Sequence, residues 1–287
     1  MKRVLVTGST GLLGVRLMES FSGYDLKGLC RRPFNDSSLA VDLTGKDSLI
    51  KAIGDFNPDT LIHSAAVTNV DYCEEHKEEA WNINVEGTRN VVDACKETGC
   101  KIVFISTDYV FDGEGTMYDE EDEVNPVNHY GLTKLEGEKI VQESGLDFMI
   151  ARTSVLYGWH EPRLNYATWV LDKLGQGEEI NVVDDRYKSP TLTDNLAEVV
   201  KGLCEKKASG IYHTSGSERI SMYDFAVKTA EAFGLDPKLI RRQKSGEFRQ
   251  KALRPPDSSL NVSKVKKMGL RLFNVSEGLE YMGEHRK

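Results

Sequence analysis

The chain has 287 residues, of which 39% are hydrophobic, and its formal net charge is −8 at pH 7. This length and composition are sufficient for one large domain or two smaller ones with buried cores, and they argue against a disordered chain. The acidic balance, without any long run of lysines or arginines, argues against nucleic acid as a partner, whereas a small anionic ligand stays compatible with it.

The cysteines and the apolar segments limit the compartment and the cofactor chemistry. Five cysteines are scattered along the chain without a C-x-x-C pair, which argues against a zinc site or a redox centre. No apolar stretch has the length of a signal peptide or of a membrane span. We therefore expect a cytoplasmic protein with no bound metal and no membrane partner. Its oligomeric state stays open, with a homodimer as the candidate.

Up to about residue 156, short apolar runs typical of strands alternate with segments of helical periodicity. The predicted strands are residues 3–8, 26–31, 59–66, 101–107 and 148–154, and the predicted helices are 11–21, 47–56, 78–99 and 128–144. Strands that alternate with helices indicate a parallel sheet covered by helices on both faces.

The pattern becomes less regular in the second half of the chain. Its predicted helices are residues 165–177, 193–206, 221–234 and 276–285, and its predicted strands are 180–183 and 210–216. This mixture predicts a smaller α/β unit that covers the edge of the sheet formed by the carboxyl ends of its strands.

The segment TGSTGLLG (residues 7–14) lies between the first predicted strand and the first predicted helix. Glycines in such a place permit a tight turn, a close approach of the backbone to a pyrophosphate and close packing of the helix, whose N-terminal amides then face the anion. We predict a dinucleotide site on this turn. Its contacts are Gly8, Ser9, Thr10, Gly11, Leu12, Leu13 and Gly14.

These patterns predict an α/β fold with a Rossmann-type, doubly wound parallel sheet and a smaller C-terminal α/β substrate domain. We predict an NAD(P)-binding Rossmann domain over residues 1–157 and a mainly substrate-binding domain over 158–287. Residues of about 180–215 are predicted to return to the first domain.

The end of the second predicted strand indicates whether the cofactor is NAD or NADP. An acidic residue there receives the 2′-hydroxyl of NAD, whereas an arginine receives the 2′-phosphate of NADP. Arg31 and Arg32 stand at this position, and the three residues that follow include no carboxylate. We predict NADP(H) as the cofactor and leave NAD(H) open, because arginine pairs also occur on surfaces that bind no ligand.

The segment HYGLTKLEGEK (residues 129–139) places Tyr130 and Lys134 four residues apart on one face of a predicted helix. A ketone that accepts a hydride becomes an alkoxide unless an acid beside its oxygen donates a proton. A phenol has a pKa of about 10, and a neighbouring ammonium lowers that pKa because it stabilises the phenolate. Tyr130 is therefore the candidate proton donor, with Lys134 as its cation. For the pair taken alone, an ordinary amphipathic helix face is the alternative.

Together, T-G-x-x-G-x-x-G and Y-x-x-x-K resemble the extended short-chain dehydrogenase/reductase superfamily. Longer segments resemble the dTDP-4-dehydrorhamnose reductase family over nearly the whole chain. They are NVDYCEEHKEEAWNINV (69–85), STDYVFDG (106–113), YGLTKLEGE (130–138), SPTLTDNLA (189–197) and RPPDSSL (254–260). This resemblance implies reduction of the 4-keto group of a nucleotide-linked deoxysugar, with NADPH or NADH as the donor.

The resemblance also implies roles for individual residues. Thr107, at the end of a predicted central strand, would hydrogen-bond the substrate carbonyl, and Asn84 would support the active-site helix. The implied cofactor contacts outside the glycine-rich segment and the arginines are Asp42, Leu43, Ser64, Ala65, Ala66, Asn84, Tyr130 and Lys134. The implied substrate contacts are Thr107, Tyr109, Arg186 and Arg254. We expect His63 to be a packed core histidine rather than a base.

The segment DDRYKSPT (residues 184–191) departs from the family pattern Asp-Gln-x-Gly-x-Pro-Thr. Arg186 stands at the glutamine position and Lys188 at the glycine position. Both cations are candidates for contacts with a substrate diphosphate, and they leave the identity of the sugar open.

Two alternatives of other functional classes stay open. Some relatives keep the fold and bind NADP as regulatory subunits of methionine adenosyltransferase, with no known need for turnover. Other extended short-chain enzymes are sugar-nucleotide epimerases or dehydratases, which keep their cofactor tightly bound.

Overall fold

The computed structural model describes residues 2–32, 37–160, 164–247 and 249–286. Its strands in these ranges are β1 (Arg3–Thr7), β2 (Asp25–Cys30), β3 (Ser38–Ala40), β4 (Thr60–His63), β5 (Lys101–Thr107), β6 (Phe148–Thr153), β7 (Leu156–Tyr157), β8 (Ile180–Val183), β9 (Tyr187–Lys188), β10 (Thr191–Leu192), β11 (Gly210–His213), β12 (Ile220–Ser221) and β13 (Ile240–Gln243). Its α-helices there are α1 (Leu12–Ser20), α2 (Lys46–Phe56), α3 (Val70–Glu75), α4 (Lys77–Trp81), α5 (Gly87–Thr98), α6 (His129–Gln142), α7 (Tyr166–Gly175), α8 (Thr193–Glu205), α9 (Met222–Ala232), α10 (Ser263–Lys267) and α11 (Val275–Glu284).

Seven of these strands form one sheet in which every neighbouring pair is parallel. Their order across the sheet is β11-β6-β5-β4-β1-β2-β3. The chain thus runs outward from β1 to β3 and then returns to the other side of β1 as β4. Ligands of open α/β sheets bind at the carboxyl ends of the strands beside such a reversal. The predicted Rossmann-type, doubly wound parallel sheet is confirmed.

Helices cover both faces of this sheet, as strands that are apolar on both sides require. On one face α1 packs against α8, and Leu17 and Leu196 are fully buried there. On the other face α2 packs against α5, and Ile53 and Val91 are fully buried. β5 is buried from its second residue to its last. Its carboxyl end, Thr107, is therefore held in the middle of the molecule.

A further apolar core lies in the second half of the chain. In it α7, α9 and α11 pack around Tyr157, and Phe225 of α9 is fully buried. Short strand pairs frame this core: β8 with β13 in parallel and β9 with β12 in antiparallel orientation. β11 is not part of this core and pairs instead with β6 at the edge of the main sheet. The division into a cofactor domain over residues 1–157 and a substrate domain over 158–287 stays a prediction.

The predicted helix over residues 78–99 is interrupted near its middle. α4 continues into a π-helical turn (Asn82–Glu86) before α5 begins. Asn84 lies in this turn and is buried. Such turns frequently mark functional sites, because the extra residue changes the direction of the side chains around it.

The five cysteines are free thiols. Within the described ranges, no group of three or more histidine, cysteine, aspartate or glutamate side chains could hold a metal ion. No helix in that part of the chain combines the length and apolarity that a membrane span needs.

Candidate active site

The glycine turn (residues 7–14) is packed against the segment that follows β4. Gly8 has a φ of +69°, and a Cβ atom on it would lie 2.9 Å from the backbone nitrogen and the Cα of Ala65. A Cβ atom on Gly14 would lie 2.0 Å from the carbonyl oxygen of Gly8. Glycine is therefore required both for the turn itself and for the close approach of these backbones.

The first turn of α1 presents unpaired amides. The helix begins at Leu12 with Gly11 as its N-cap, no side chain caps it, and no acidic residue lies in its first turn. Thr10 and Leu12 are half-buried and Gly11 is exposed, whereas Ser9 and Leu13 are buried. A helix N-terminus carries a partial positive charge and attracts anions. The glycine turn is therefore suited to the pyrophosphate of a dinucleotide.

Residues 64–66, here called the cofactor wall, follow β4 and lie beside the glycine turn. All three are half-buried. Ser64 Oγ donates to the carbonyl oxygen of Thr7 over 2.6 Å, and the Ala65 amide donates to Thr7 Oγ1 over 3.3 Å. The structure thus brings the glycine turn and the predicted contacts Ser64, Ala65 and Ala66 together at one edge of the sheet.

A chain of hydrogen bonds connects the cofactor wall to the π-helical turn. Thr88 Oγ1 donates to the carbonyl oxygen of Asn84 over 2.6 Å and lies 3.1 Å from His63 Nε2. Because a hydroxyl has one hydrogen, His63 must donate from Nε2, and its Nδ1 accepts from Thr7 Oγ1 at 2.7 Å. Thr7 Oγ1 in turn accepts from the Ala65 amide. His63 is thus a buried, neutral part of the scaffold.

Protonation of His63 would break this chain of hydrogen bonds. Burial and, to a smaller extent, the charge of Lys134 lower the pKa of His63 from 6.5 to about 3. Below pH 6.5 the unfolded chain binds a proton at this residue that the folded chain does not bind. The contribution of His63 to stability is therefore complete above pH 6.5 and is lost as the pH falls towards 3.

We expect His63 to reduce the free energy of unfolding by about 2 kcal/mol between pH 8 and pH 5. Denaturant titrations of the wild type and of His63→Gln at both pH values measure this difference. The wild type should lose more stability than the variant as the pH falls. An equal pH dependence of the two proteins would show that His63 is already charged in the folded state.

Asn84 connects the chain just beyond the cofactor wall to α6. Its Oδ1 accepts from the Val67 amide at 2.8 Å, and its Nδ2 donates to the Val67 carbonyl and to Thr133 Oγ1, both at 3.0 Å. These contacts occupy the amide group within the protein and hold α6 in place. A direct contact of Asn84 with the cofactor stays a prediction.

Arg31 and Arg32 follow β2 directly, and both are exposed. Hydrogen bonds from Thr44 lower the pKa of Asp42, and the nearby charge of Arg31 lowers it further. Folding therefore places the carboxylate of Asp42 near Arg31, although the two residues are eleven positions apart in the sequence. Leu43 is half-buried next to it. These four predicted cofactor residues lie on one side of the sheet, beyond the ends of β2 and β3.

Thr107 ends β5 and Tyr130 lies in the first turn of α6, and both are buried. The N-cap Asn128 accepts from the Gly131 amide at 2.9 Å. A Cβ atom on Gly131 would lie 2.2 Å from the carbonyl oxygen of Tyr109, so α6 starts directly on the turn after β5. Burial raises the pKa of Tyr130 well above its ordinary value, and a hydrogen bond with Thr107 opposes that rise. The phenol is therefore protonated at neutral pH, as a proton donor must be.

Lys134 lies one turn after Tyr130 and is buried. Its ammonium is directed at the Phe104 ring, 3.9 Å from the ring centroid, and not into a hydrogen bond with the phenol. The expectation that Lys134 lowers the pKa of Tyr130 is therefore corrected: burial raises that pKa, and Lys134 is not among the groups that shift it. Burial lowers the pKa of Lys134 from 10.5 to about 7, and the carboxylate of Glu138 opposes this shift. Lys134 is therefore able to gain or lose a proton close to neutral pH.

One buried ion pair next to Lys134 was not predicted from the sequence. Arg152 Nη2 on β6 lies 2.7 Å from Glu138 Oε2 on α6. Ser106 Oγ on β5 donates to Glu138 Oε1 over 2.5 Å. The feature of the sequence that could have indicated this ion pair is the position of Glu138, four residues after Lys134. These contacts tie α6 to two strands and so hold the helix that carries Tyr130.

The predicted substrate residues gather beside the phenol of Tyr130. The rings of Tyr109 and Tyr130 meet edge to face, with centroids 5.8 Å apart. Arg254 Nη1 is held 2.6 Å from Asp71 Oδ1 on α3. Burial lowers the pKa of Arg186. The phenol of Tyr109 opposes this shift, and the positive charge of Arg254 adds to it. The guanidinium groups of Arg186 and Arg254 thus lie near each other and near Tyr109, and guanidinium groups can bind phosphate oxygens.

Lys188, the other cation considered for a diphosphate, is not part of this group. It is buried, and its ammonium lies 3.0 Å from Asp108 Oδ2 and 4.0 Å from the centroid of the Tyr109 ring. An ammonium that is enclosed and already paired is not available to a substrate phosphate. The expectation for Lys188 is therefore corrected, because its partner lies inside the protein.

The parallel sheet, the glycine turn and the helix of Tyr130 and Lys134 define an extended short-chain dehydrogenase/reductase, and within that class this chain is an NAD(P)H-dependent oxidoreductase. The model of the family described as RmlD substrate binding domain matches residues 1–285. The chain belongs to this family, and its resemblance to dTDP-4-dehydrorhamnose reductases is confirmed.

Known relatives are similar over almost the whole chain. The spore coat polysaccharide biosynthesis protein SpsK of Bacillus subtilis is 34% identical over 99% of this chain and 98% of its own length. Methionine adenosyltransferase 2 subunit beta of Bos taurus is 33% identical over 94% of this chain and 83% of its own. The crystal structure of dTDP-4-dehydrorhamnose reductase from Bacillus anthracis in complex with NADP has a TM-score of 0.91 at 32% identity and covers 99% of both chains.

Proposed function

We propose that this protein reduces the 4-keto group of a nucleotide-linked deoxysugar, with NADPH as the hydride donor. The observation that carries the proposal is the buried pair of Thr107 and Tyr130 at the carboxyl end of β5, where Thr107 is close enough to the phenol to oppose the rise of its pKa. β5, β4 and β1 are neighbours in the sheet. The pair therefore lies about 10 Å, or two strand spacings, from the glycine turn. A dinucleotide held at that turn by its pyrophosphate would have this space along the strand ends for its nicotinamide half.

The chemistry follows from the positions of three side chains. A reduced nicotinamide supplies the hydride to the carbonyl carbon. Tyr130 donates its proton to the oxygen as that oxygen becomes an alkoxide, and Thr107 holds the same oxygen by a hydrogen bond. Lys134 has a pKa of about 7. When Lys134 is protonated, its ammonium on the same helix favours the phenolate that remains after Tyr130 has given its proton to the substrate oxygen.

The preference for NADPH is attributed to Arg31 and Arg32, and the relative from Bacillus anthracis was crystallised with NADP. Hydrogen bonds between a guanidinium and a phosphate are charge-assisted and strong, although exposure to solvent weakens them. We expect kcat/KM to be about tenfold higher with NADPH than with NADH, and the ratio to shrink as salt is added. Steady-state kinetics with both cofactors at low and high salt measure it.

The double variant Arg31→Ser with Arg32→Ser should raise the KM for NADPH and hardly change that for NADH. A matched control is the exposed pair Arg241 and Arg242 on β13, remote from the glycine turn. Serine at both control positions should change neither KM. Equal use of the two cofactors by the wild type would show that Arg31 and Arg32 do not bind the 2′-phosphate.

The substrate is proposed to bind with its diphosphate on Arg186 and Arg254 and its sugar beside Tyr109. The decisive assay follows NADPH consumption with 4-keto deoxysugars linked to dTDP, UDP or GDP. We expect turnover with at least one of them and loss of that turnover in Tyr130→Phe. Consumption of NADPH with none of the three would contradict the proposal.

The NADPH assay and the cofactor content of the purified protein together distinguish the alternatives. A regulatory subunit of methionine adenosyltransferase would bind NADP without consuming NADPH, and an epimerase or dehydratase would retain stoichiometric NAD(H) through purification. The bovine subunit is 33% identical and SpsK 34% identical, so identity does not separate these roles. The buried pair of Thr107 and Tyr130, with Lys134 on the same helix, favours turnover.

A further inference from the structure

Lys188 stands where the related pattern has a glycine, and its surroundings connect it to the proposed active site. It lies on β9 in the second half of the chain, and only 3% of its surface is exposed. Its ammonium is 3.0 Å from Asp108 Oδ2, 2.5 Å from Ser258 Oγ and 4.0 Å from the centroid of the Tyr109 ring. A cation buried this deeply needs an opposite charge, and Asp108 supplies it.

Asp108 connects this ammonium to the residues proposed to act on the substrate. It is 1% exposed and directly follows Thr107, whose hydroxyl donates to Asp108 Oδ1 over 3.2 Å. Ser258 Oγ donates to the other oxygen, Oδ2. Thr107 has one hydroxyl hydrogen, so Asp108 competes for it with the phenol of Tyr130 and with a substrate carbonyl. A carboxylate without a counter-ion would retain that hydrogen and would also make Tyr130 a weaker acid.

We propose that Lys188 is a positioning residue: it neutralises Asp108, so that the hydroxyl of Thr107 and the phenol of Tyr130 are free to act on the substrate carbonyl. The inference rests on the proposed reduction. It assigns part of the control of the proton donor to the second half of the chain, because β9 carries the counter-ion.

Several groups act on the phenol, so the test must change one charge at a time. The titratable groups that act on Tyr130 or face its neighbour Tyr109 are Asp108 and Tyr109 after β5, Cys73 on α3, Lys188 on β9 and Arg186 beside β9. Among them Asp108 contributes a formal negative charge, and its counter-ion is Lys188. Variants of this ion pair therefore change the field at the phenol in a known direction.

The experiment measures kcat at saturating NADPH and sugar from neutral pH to the highest pH at which each variant stays folded, where deprotonation of Tyr130 begins to end the reduction. Because burial already raises the pKa of Tyr130, the variant expected to move this alkaline limb downward is the most sensitive one. Lys188→Met should lower kcat by at least about threefold. It should also move the alkaline limb of the profile upward by about one pH unit. The KM for NADPH should stay within about twofold, because the ion pair lies away from the glycine turn.

Three further variants make the test independent of the folding of Lys188→Met. Asp108→Asn leaves the ammonium unpaired and should move the alkaline limb downward. Lys188→Arg keeps the charge and should keep the limb in place. The double variant Asp108→Asn with Lys188→Met removes both charges and should return the limb close to its wild-type position.

The outcomes separate the two proposals. A merely structural role for Lys188 would lower kcat together with thermal stability and leave the alkaline limb unmoved. An active wild type whose limb stays in place in both Lys188→Met and Asp108→Asn overturns this inference and leaves the proposed function intact. A wild type that consumes no NADPH with any of the sugars overturns the proposed function, and this inference with it.

Discussion

Replacement of Tyr130 by phenylalanine is expected to lower kcat by about 10²- to 10⁴-fold and to change the dissociation constant of NADPH by less than about twofold. The variant loses only the phenol hydroxyl, because its ring keeps the edge-to-face contact with Tyr109. The substrate oxygen then loses its proposed proton donor and keeps only the hydrogen bond from Thr107. Single-turnover kinetics for the chemical step and a fluorescence titration for NADPH binding measure the two quantities.

Tyr166 provides a matched control. Its partly buried phenol donates to the carbonyl oxygen of Met222 over 2.8 Å, but it belongs to the core of the second half of the chain. Tyr166→Phe should lower the free energy of unfolding by about 1 kcal/mol and leave kcat unchanged. Near-wild-type kcat in Tyr130→Phe, or the same loss in both variants, would remove Tyr130 from its proposed role.

Replacement of Gly8 by alanine is expected to reduce kcat/KM for NADPH by about a hundredfold. The new Cβ atom would lie 2.9 Å from the backbone of Ala65, at a φ of +69° that alanine rarely adopts. The glycine turn and the cofactor wall would have to separate to accommodate it. Because a dinucleotide is proposed to contact both, a displacement of about 1 Å there misplaces the reacting carbon at its other end.

Gly177 separates this effect from backbone strain alone. It has a φ of +73°, and no atom lies within 4 Å of the position of its Cβ. Gly177→Ala should therefore cost about 1 kcal/mol of stability without changing the kinetics. If Gly8→Ala and Gly177→Ala have the same kcat/KM, the close approach of the two backbones does not serve the cofactor.

Local patterns in the sequence predicted most of the strands and helices of the first half, although not β3 or α3. β1, β4, β5 and β6 appear as apolar runs because a parallel sheet buries both faces of its central strands. β3 was missed, since three residues are too few to show a period. The pairs β9 with β12 and β8 with β13 were also incompletely predicted, because such short strands are defined by their partners and not by their own composition.

The features of the candidate site also divide into those that the sequence predicted and those that only the structure revealed. The sequence by itself determined that a glycine turn joins a strand to a helix and that Tyr130 and Lys134 share a helix face. Both features involve residues close together in the chain, where backbone geometry alone decides which side chains meet. The resemblance to a known family then supplied their chemistry and that of Thr107.

Only the tertiary structure decided what surrounds these residues. It placed Asp42 beside Arg31 and directed Lys134 at the ring of Phe104. It also buried Lys188 against Asp108, a contact between residues 80 positions apart. Periodicity and motifs describe the chain over a few residues, whereas such contacts depend on how distant elements pack. The charge of Lys188 was therefore visible in the sequence, but its partner could be identified only after β9 was placed against the end of β5.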